Sequence, residues 1–154
     1  MTDKNLLVIT PHRKEPGKQR IAAYCRVSSR SDEQLNSLTN QINFYRSLFE
    51  NDDTVVFVGI YAEEGLSGTQ AESRPQFMKM IEDCRSGLID CIRTKSVSRF
   101  GRNTVDTLIY TRELRSLGID VFFEKENIHS TESSGELMLT LMAAFAESES
   151  ETMS

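Results

Sequence analysis

Tryptophan is absent from this 154-residue chain and proline occurs three times. No apolar run comes near the roughly 20 residues that a membrane-spanning helix needs. The start, Met1 to Thr10, also lacks the long apolar segment and small-residue cleavage site of a signal peptide, so the chain is expected to work inside the cell, in the cytoplasm. Cys25, Cys84 and Cys91 form no CxxC pair and are odd in number, which suits reduced, buried thiols better than disulfides or zinc. A basic excess is missing too: the net charge is −5, which argues on its face against nucleic acid as a partner. Net charge does not describe a local site, however, and clustered arginines can bind phosphate while acids cover the remaining surface. There is no internal repeat and no low-complexity segment.

With 38% hydrophobic and 27% charged residues, the chain has the size and composition of one domain with a real core. Residues 1–19 carry Pro11, Pro16 and Gly17 without a lasting period and read as a loosely held arm, with a short extra strand possible at Leu6 to Ile9. Arg20 to Arg26 is a nearly continuous apolar run, as in a strand covered on both faces. Ser31 or Asp32 can cap the helix that follows, where Leu35, Leu38, Ile42, Tyr45 and Leu48 recur at helical spacing. Thr54 to Tyr61 is rich in β-branched and aromatic residues and predicts the second strand. The polar, glycine-bearing stretch 62–72 is long for a connection, and such loops are usually functional or mobile.

Pro75 then starts a helix to about Cys84 that buries Phe77, Met80 and Ile81. Leu88 to Thr94 predicts the third strand. After a turn packed with hydroxyls and cations, Asn103 caps a helix with Asp106 at its third position, a near capping box. Val105, Leu108, Ile109, Leu114 and Leu117 are expected to form that helix's buried side, and Gly118 its stop. Ile119 to Phe123 predicts the fourth strand, and Glu124 to Ser134 reads as loop. Residues 135–154 read as one long helix with an apolar stripe of Leu137, Met138, Leu141, Met142 and Phe145, expected to be core along its first half. That helix has no stop signal, so the chain is expected to be the front part of a longer protein. Alternating strands and helices predict an α/β fold with a mainly parallel central sheet of four to five strands.

On that plan the carboxyl ends of the first three strands present Arg26 and Ser28, then Arg74, then Arg99 and Arg102 along one sheet edge, where such folds collect their reactive groups. A serine needs a partner that takes its proton and another that stabilises charge on the group it attacks. His12 lies in the arm and His129 in the last loop, and no GxSxG elbow exists, so acyl transfer is disfavoured. Arginines suit phosphate, which their planar guanidinium groups grip in a bidentate way. Neither a GxxxxGK[ST] nor a GxGxxG cradle is present, nor acids and histidines at metal-ligand spacing. Neither cofactor nor metal is expected, and the chemistry implied is attack of a serine on a phosphodiester. Taken singly, each arginine could be a surface charge, Ser28 a helix cap and Ser67-Gly68 a turn. Their joint placement carries the reading, with Ser29 and Ser31 as rival nucleophiles.

Four stretches in order, Tyr24-Cys25-Arg26-Val27-Ser28, Ser37-Leu38-Thr39-Asn40-Gln41, Glu64-Gly65-Leu66-Ser67-Gly68-Thr69 with Ser73-Arg74-Pro75, and Ser98-Arg99-Phe100-Gly101-Arg102-Asn103, resemble the motifs of the serine recombinase (resolvase/invertase) catalytic domain. The resemblance spans about Arg20 to Ser154. It implies a catalytic core over 20–134 and the start of a long interface helix over 135–154. It also implies strand exchange on double-stranded DNA recombination sites by a homo-dimer that becomes a homo-tetramer through that helix, with a 5′-phosphoserine intermediate. By position Ser28 would be the nucleophile, Arg26, Arg74, Arg99 and Arg102 would surround the phosphate, and Gln41, Ser67, Ser98 and Glu149 would support the site. Small resolvases have aspartate where this chain has Ser98, and commonly arginine where it has Ser150. Both departures, and the N-terminal arm, resemble the large serine recombinases of conjugative transposons and phage integrases, in which a large DNA-binding part follows this domain. Two alternatives are a small resolvase or invertase and a non-catalytic α/β module that binds an anion.

Overall fold

Strand β1 (Gln19–Arg26) is buried almost end to end because helices cover both of its faces. Ile21, Ala23 and Cys25, continued by Val27, pack with Leu38, Tyr45 and Phe49 of helix α1 (Asp32–Phe49). Ala22 and Tyr24, on the other face, join Phe77, Met80 and Ile81 of α2 (Pro75–Arg85) and Leu114 of α4 (Thr104–Ser116). The computed structural model that gives this arrangement describes residues 16–29, 31–64 and 74–153, with side chains through Ser148. The suggested strand at 6–9, His12, and the loop positions from Gly65 to Ser73, Ser67 among them, lie outside the described residues.

β1 pairs in parallel with β2 (Val55–Glu63) and with β3 (Cys91–Thr94), β4 (Asp120–Phe123) pairs in parallel with β3, and β5 (Ile128–His129) closes the sheet antiparallel to β4. The order is therefore β2-β1-β3-β4-β5. In the β1–β2 register Ile21 faces Phe57 and Ala22 faces Gly59, so Val58 is an extra residue, a bulge made possible by Gly59 at φ 151°. The chain leaves β1 toward β2 and leaves β3 toward β4, in opposite directions. Their adjacent carboxyl ends form the topological switch point, where open α/β sheets place their ligands.

The helix termini follow the sequence signals. Ser31 Oγ accepts from Gln34 N at 3.3 Å, and Asn103 Oδ1 accepts from Asp106 N at 2.8 Å. At the start of α2 the N-cap position, Arg74, makes no side-chain capping bond. The donors there are met from β2, where the buried Glu63 carboxylate accepts from Gln76 N at 3.0 Å and Phe77 N at 3.4 Å. Phe77 lies among Tyr24, Phe100 and Tyr110 in edge-to-face contact, fastening α2, β1 and α4 together.

Several expectations are corrected. β3 begins at Cys91 rather than at Leu88, and the stretch read as loop from Glu124 contains β5, entered through Asn127 at φ 56°. A one-turn helix, α3 (Val97–Phe100), interrupts the turn after β3. The buried side of α4 is Asp106, Thr107, Thr111 and Leu114, while Val105, Ile109 and Leu117 are exposed. In α5 (Ser133–Met153) the buried apolar side chain among the described residues is Leu139; Leu137, Leu141 and Phe145 are 60%, 62% and 57% exposed. Helical spacing identified these stripes but not which way they face. α1 departs less, with Leu48 exposed and Phe49 buried in its place.

All three cysteines are free and buried, and burial pushes each thiol up to about 12. Thiolate is the reactive form, so none should react with an aromatic disulfide reagent at pH 8 while the chain is folded. All three should react in denaturant, and a thiol titrating without unfolding would contradict this packing.

Candidate active site

The turn after β3 is the floor of the candidate site. α3 is so short that its last carbonyls have no helical partner, and arginines take them up. Arg26, at the end of β1, donates from Nη2 to Ser98 O at 2.7 Å, from Nε to Arg99 O at 2.9 Å and from Nη2 to Gly101 O at 3.3 Å. Arg74 supplies the bond to the remaining carbonyl, from Nη1 to Phe100 O at 2.5 Å. Four consecutive carbonyls thus face two guanidinium groups, drawing the end of β1 and the start of α2 onto the turn after β3. Burial lowers the Arg26 guanidinium below its ordinary value, and the charges of Arg74 and Arg99 act in the same direction, as expected where cations are crowded.

The backbone of Arg26 is clamped from α1. Gln41, itself buried, accepts from Arg26 N at 3.3 Å and donates to Arg26 O at 3.2 Å, which extends the pairing of β1 with a side-chain amide. Ser28 follows two residues on and is exposed, as is Ser29. Tyr24 donates to Glu63 at 2.7 Å beneath the cluster; burial first, and the Glu63 charge second, raise its phenol, so it stays protonated.

Arg74 is buried, with its guanidinium 3.7 Å from the centre of the Phe77 ring and Nη2 2.5 Å from Asp106 Oδ2. Arg102 is the more open of the two; its backbone N lies 3.0 Å and its Nη2 3.4 Å from the same carboxylate. The capping box read at Asn103 and Asp106 is therefore half made: Asn103 caps, while the acid turns to the arginines. The hydroxyl of Ser98 meets Ser96 Oγ at 3.0 Å, and its carbonyl holds Arg26. Ser67 is outside the described residues, and Glu149 lies in α5 beyond the described side chains.

The structure thus brings Arg26, Arg74, Arg99 and Arg102 to one turn beside the strand end that carries Ser28. Sequence reading missed Glu63 and Asp106 as members of this region. Glu63 ends a strand beside a loop of acids, and Asp106 reads as a cap; only the third dimension pairs them with Tyr24 and with the arginines. Among the described residues no group of three or more His, Cys, Asp or Glu side chains is placed to hold a metal ion. A cavity of about 560 Å3 between α1 and the turns after β3 and β4 shares Gln41 with the site but is lined by none of the four arginines. Of the four, Arg74 is buried, Arg26 and Arg99 are half-buried and Arg102 is the most open.

Gly101 lies inside this turn, and a Cβ there would run into the side chain of Thr107 and come 2.9 Å from its Cα. Gly101→Ala should therefore cost about 1–3 kcal/mol in a urea titration, as overpacking does, and should displace the carbonyls that hold Arg26. Unchanged stability would show that the turn can move away from α4.

The family model described as "Resolvase, N terminal domain" matches residues 21–154. Among curated proteins, the Transposon Tn552 resolvase of Staphylococcus aureus is 34% identical over 128 residues, covering 82% of this chain and 57% of that protein. The chain spans about half the length of the curated relatives it matches. A solved resolvase family site-specific recombinase from Streptococcus pneumoniae superposes with a TM-score of 0.75 at 30% identity, covering 88% of this chain and 91% of that one. The N-terminal catalytic domain of TP901-1 integrase gives a TM-score of 0.62 at 28% identity, covering 87% of this chain and 98% of that one.

Proposed function

The chain belongs to the resolvase N-terminal domain family, and from that premise we propose that it is the catalytic part of a site-specific DNA recombinase, with Ser28 as its nucleophile. The observation that carries the reading is the gathering of Arg26, Arg74, Arg99 and Arg102 at the turn beside β1. The Ser28 oxygen forms a bond to phosphorus as the bond to the 3′ oxygen breaks. The serine's proton is given up, and the departing oxygen takes one from water or a neighbouring group to become a 3′ hydroxyl. The 5′ phosphate stays on the serine, so the ester energy is kept, and a 3′ hydroxyl from another strand reverses the step to rejoin the DNA. Charge neutralisation by arginines is the contribution such a transfer needs from a protein.

Gln41 acts by holding Arg26, while Ser98, Ser67 and Glu149 are assigned supporting roles by their positions in the family's motifs. That Ser98 occupies the position where small resolvases have aspartate, together with the likeness to an integrase domain, favours a large serine recombinase in transposition or integration. The DNA partner, the assembly on it and the activity of the whole protein are parts of this proposal. At its encoded length, Ser28→Ala should bind a nicked duplex taken from the DNA flanking the gene as the unaltered protein does, yet form no covalent adduct. An adduct that survives the substitution would move the nucleophile to Ser29 or Ser31, and an unaltered protein that binds but never forms one would favour a non-catalytic anion-binding module.

The exposed Leu137, Leu141 and Phe145 on α5 support assembly through that helix, since apolar side chains left outside the fold core at helical spacing suit a second helix. No described helix is long and apolar enough to cross a membrane. Leu141→Glu should shift sedimentation toward a smaller species while leaving the thermal midpoint nearly unchanged. A species distribution identical to that of the parent protein would remove α5 from the assembly surface.

A further inference from the structure

We propose that Asp106 is a positioning residue of the strand-transfer reaction, setting Arg74 and Arg102 around the phosphate and balancing their charge until DNA arrives; this rests on the reading of Ser28 and the arginines given above. Asp106 is buried at the start of α4, where the helix dipole favours an anion, and its backbone N is fixed by Asn103 Oδ1 at 2.8 Å. One carboxylate oxygen accepts from Arg74 Nη2 at 2.5 Å and from Arg102 N at 3.0 Å, and the other lies 3.4 Å from Arg102 Nη2. A single rigidly held carboxylate therefore touches arginines that reach it from the loop after β2 and from the turn after β3.

Capping does not call for this carboxylate, because Asn103 already caps α4. What calls for it is the crowding: Arg74 adds to the charge that lowers Arg26, and an arginine buried without a counter-charge would swing outward or drive its neighbours apart. With Asp106 in place, Arg74 is fixed by the Phe100 carbonyl, the Phe77 ring and the carboxylate together, while the more exposed Arg102 is steered by the same group. Asp106 need not touch the phosphate to affect the rate, since displacement of a transition-state cation by about 1 Å can cost roughly 100-fold.

Removing this negative charge makes the site more attractive to DNA while spoiling its geometry, so affinity and rate should part company. At encoded length, Asp106→Asn should bind the nicked flanking duplex as tightly as the parent or more tightly. It should form the covalent adduct roughly 10–100-fold more slowly. Adding Asp106→Asn to Arg102→Ala should slow the reaction by a smaller factor than it does in the parent, because one of the two arginines it positions is already gone. Asp106→Glu, which keeps the charge but shifts the carboxylate, should also slow adduct formation with binding retained, and it serves if the asparagine variant does not fold. Adduct formation at the parent rate in either folded variant overturns the proposal. So does a loss of binding and rate in equal proportion with a lowered melting temperature, or a full additional loss on top of Arg102→Ala. If the unaltered protein forms no adduct, the Ser28 reading falls and this inference with it, whereas a normal adduct with an indifferent Asp106 removes this inference alone.

Discussion

Cations gathered at one edge repel one another: two unit charges 4 Å apart at a protein surface cost about 4 kcal/mol. The chain meets that cost mainly with backbone. α3 ends after one turn, leaving carbonyls 98 to 101 unpaired within the helix, and Arg26 and Arg74 bind all four. Because these acceptors are main-chain atoms, their spacing is fixed by the turn. The guanidinium groups are ordered without a carboxylate under each one, which would cancel their positive field. Asp106 is a measured exception, one acid shared by two arginines.

The same turn ties the sheet to its helices. β1 reaches it through Arg26, whose backbone is held by Gln41 of α1; α2 reaches it through Arg74 at its N-terminus; α4 reaches it through Asp106. Glu63 does the corresponding work one layer below, accepting from Tyr24 of β1 and from the first turn of α2. Its backbone carbonyl also takes the Val27 N–H at 3.4 Å, so the segment leading to Ser28 is still paired one residue beyond β1. The nucleophile candidate is thus exposed on a short, well-anchored extension of β1.

Much of this was legible in the sequence, and the part that was not has a common cause. Apolar runs with β-branched residues located β1, β2 and β4, and Ser31, Pro75, Asn103 and Gly118 marked helix ends, because these signals depend on neighbours along the chain. The arginines could be placed on one edge because strand order in an α/β fold follows from alternation. Partnerships across the chain could not be read. Nothing local distinguishes Asp106 from any first-turn acid, or Glu63 from the adjacent Glu64. β5 is two residues long and exists only because β4 offers it an edge.

The helical stripes on α4 and α5 fail for a more informative reason. A period of 3.6 says that one face is apolar, not that the face is turned toward the fold's own core. On α4 the inward side is Asp106, Thr107, Thr111 and Leu114, with the aspartate spent on the arginine cluster and Thr107 packed against Gly101. Once that side is committed to shaping the turn after β3, Val105 and Ile109 point away from it and into solvent. α5 lies against α4, with Met138 set on the core that Leu114 joins and Glu136 paired with Arg115, and leaves Leu137, Leu141 and Phe145 outside. The apolar surface lying outward on α4 follows from building a polar cluster into the base of that helix.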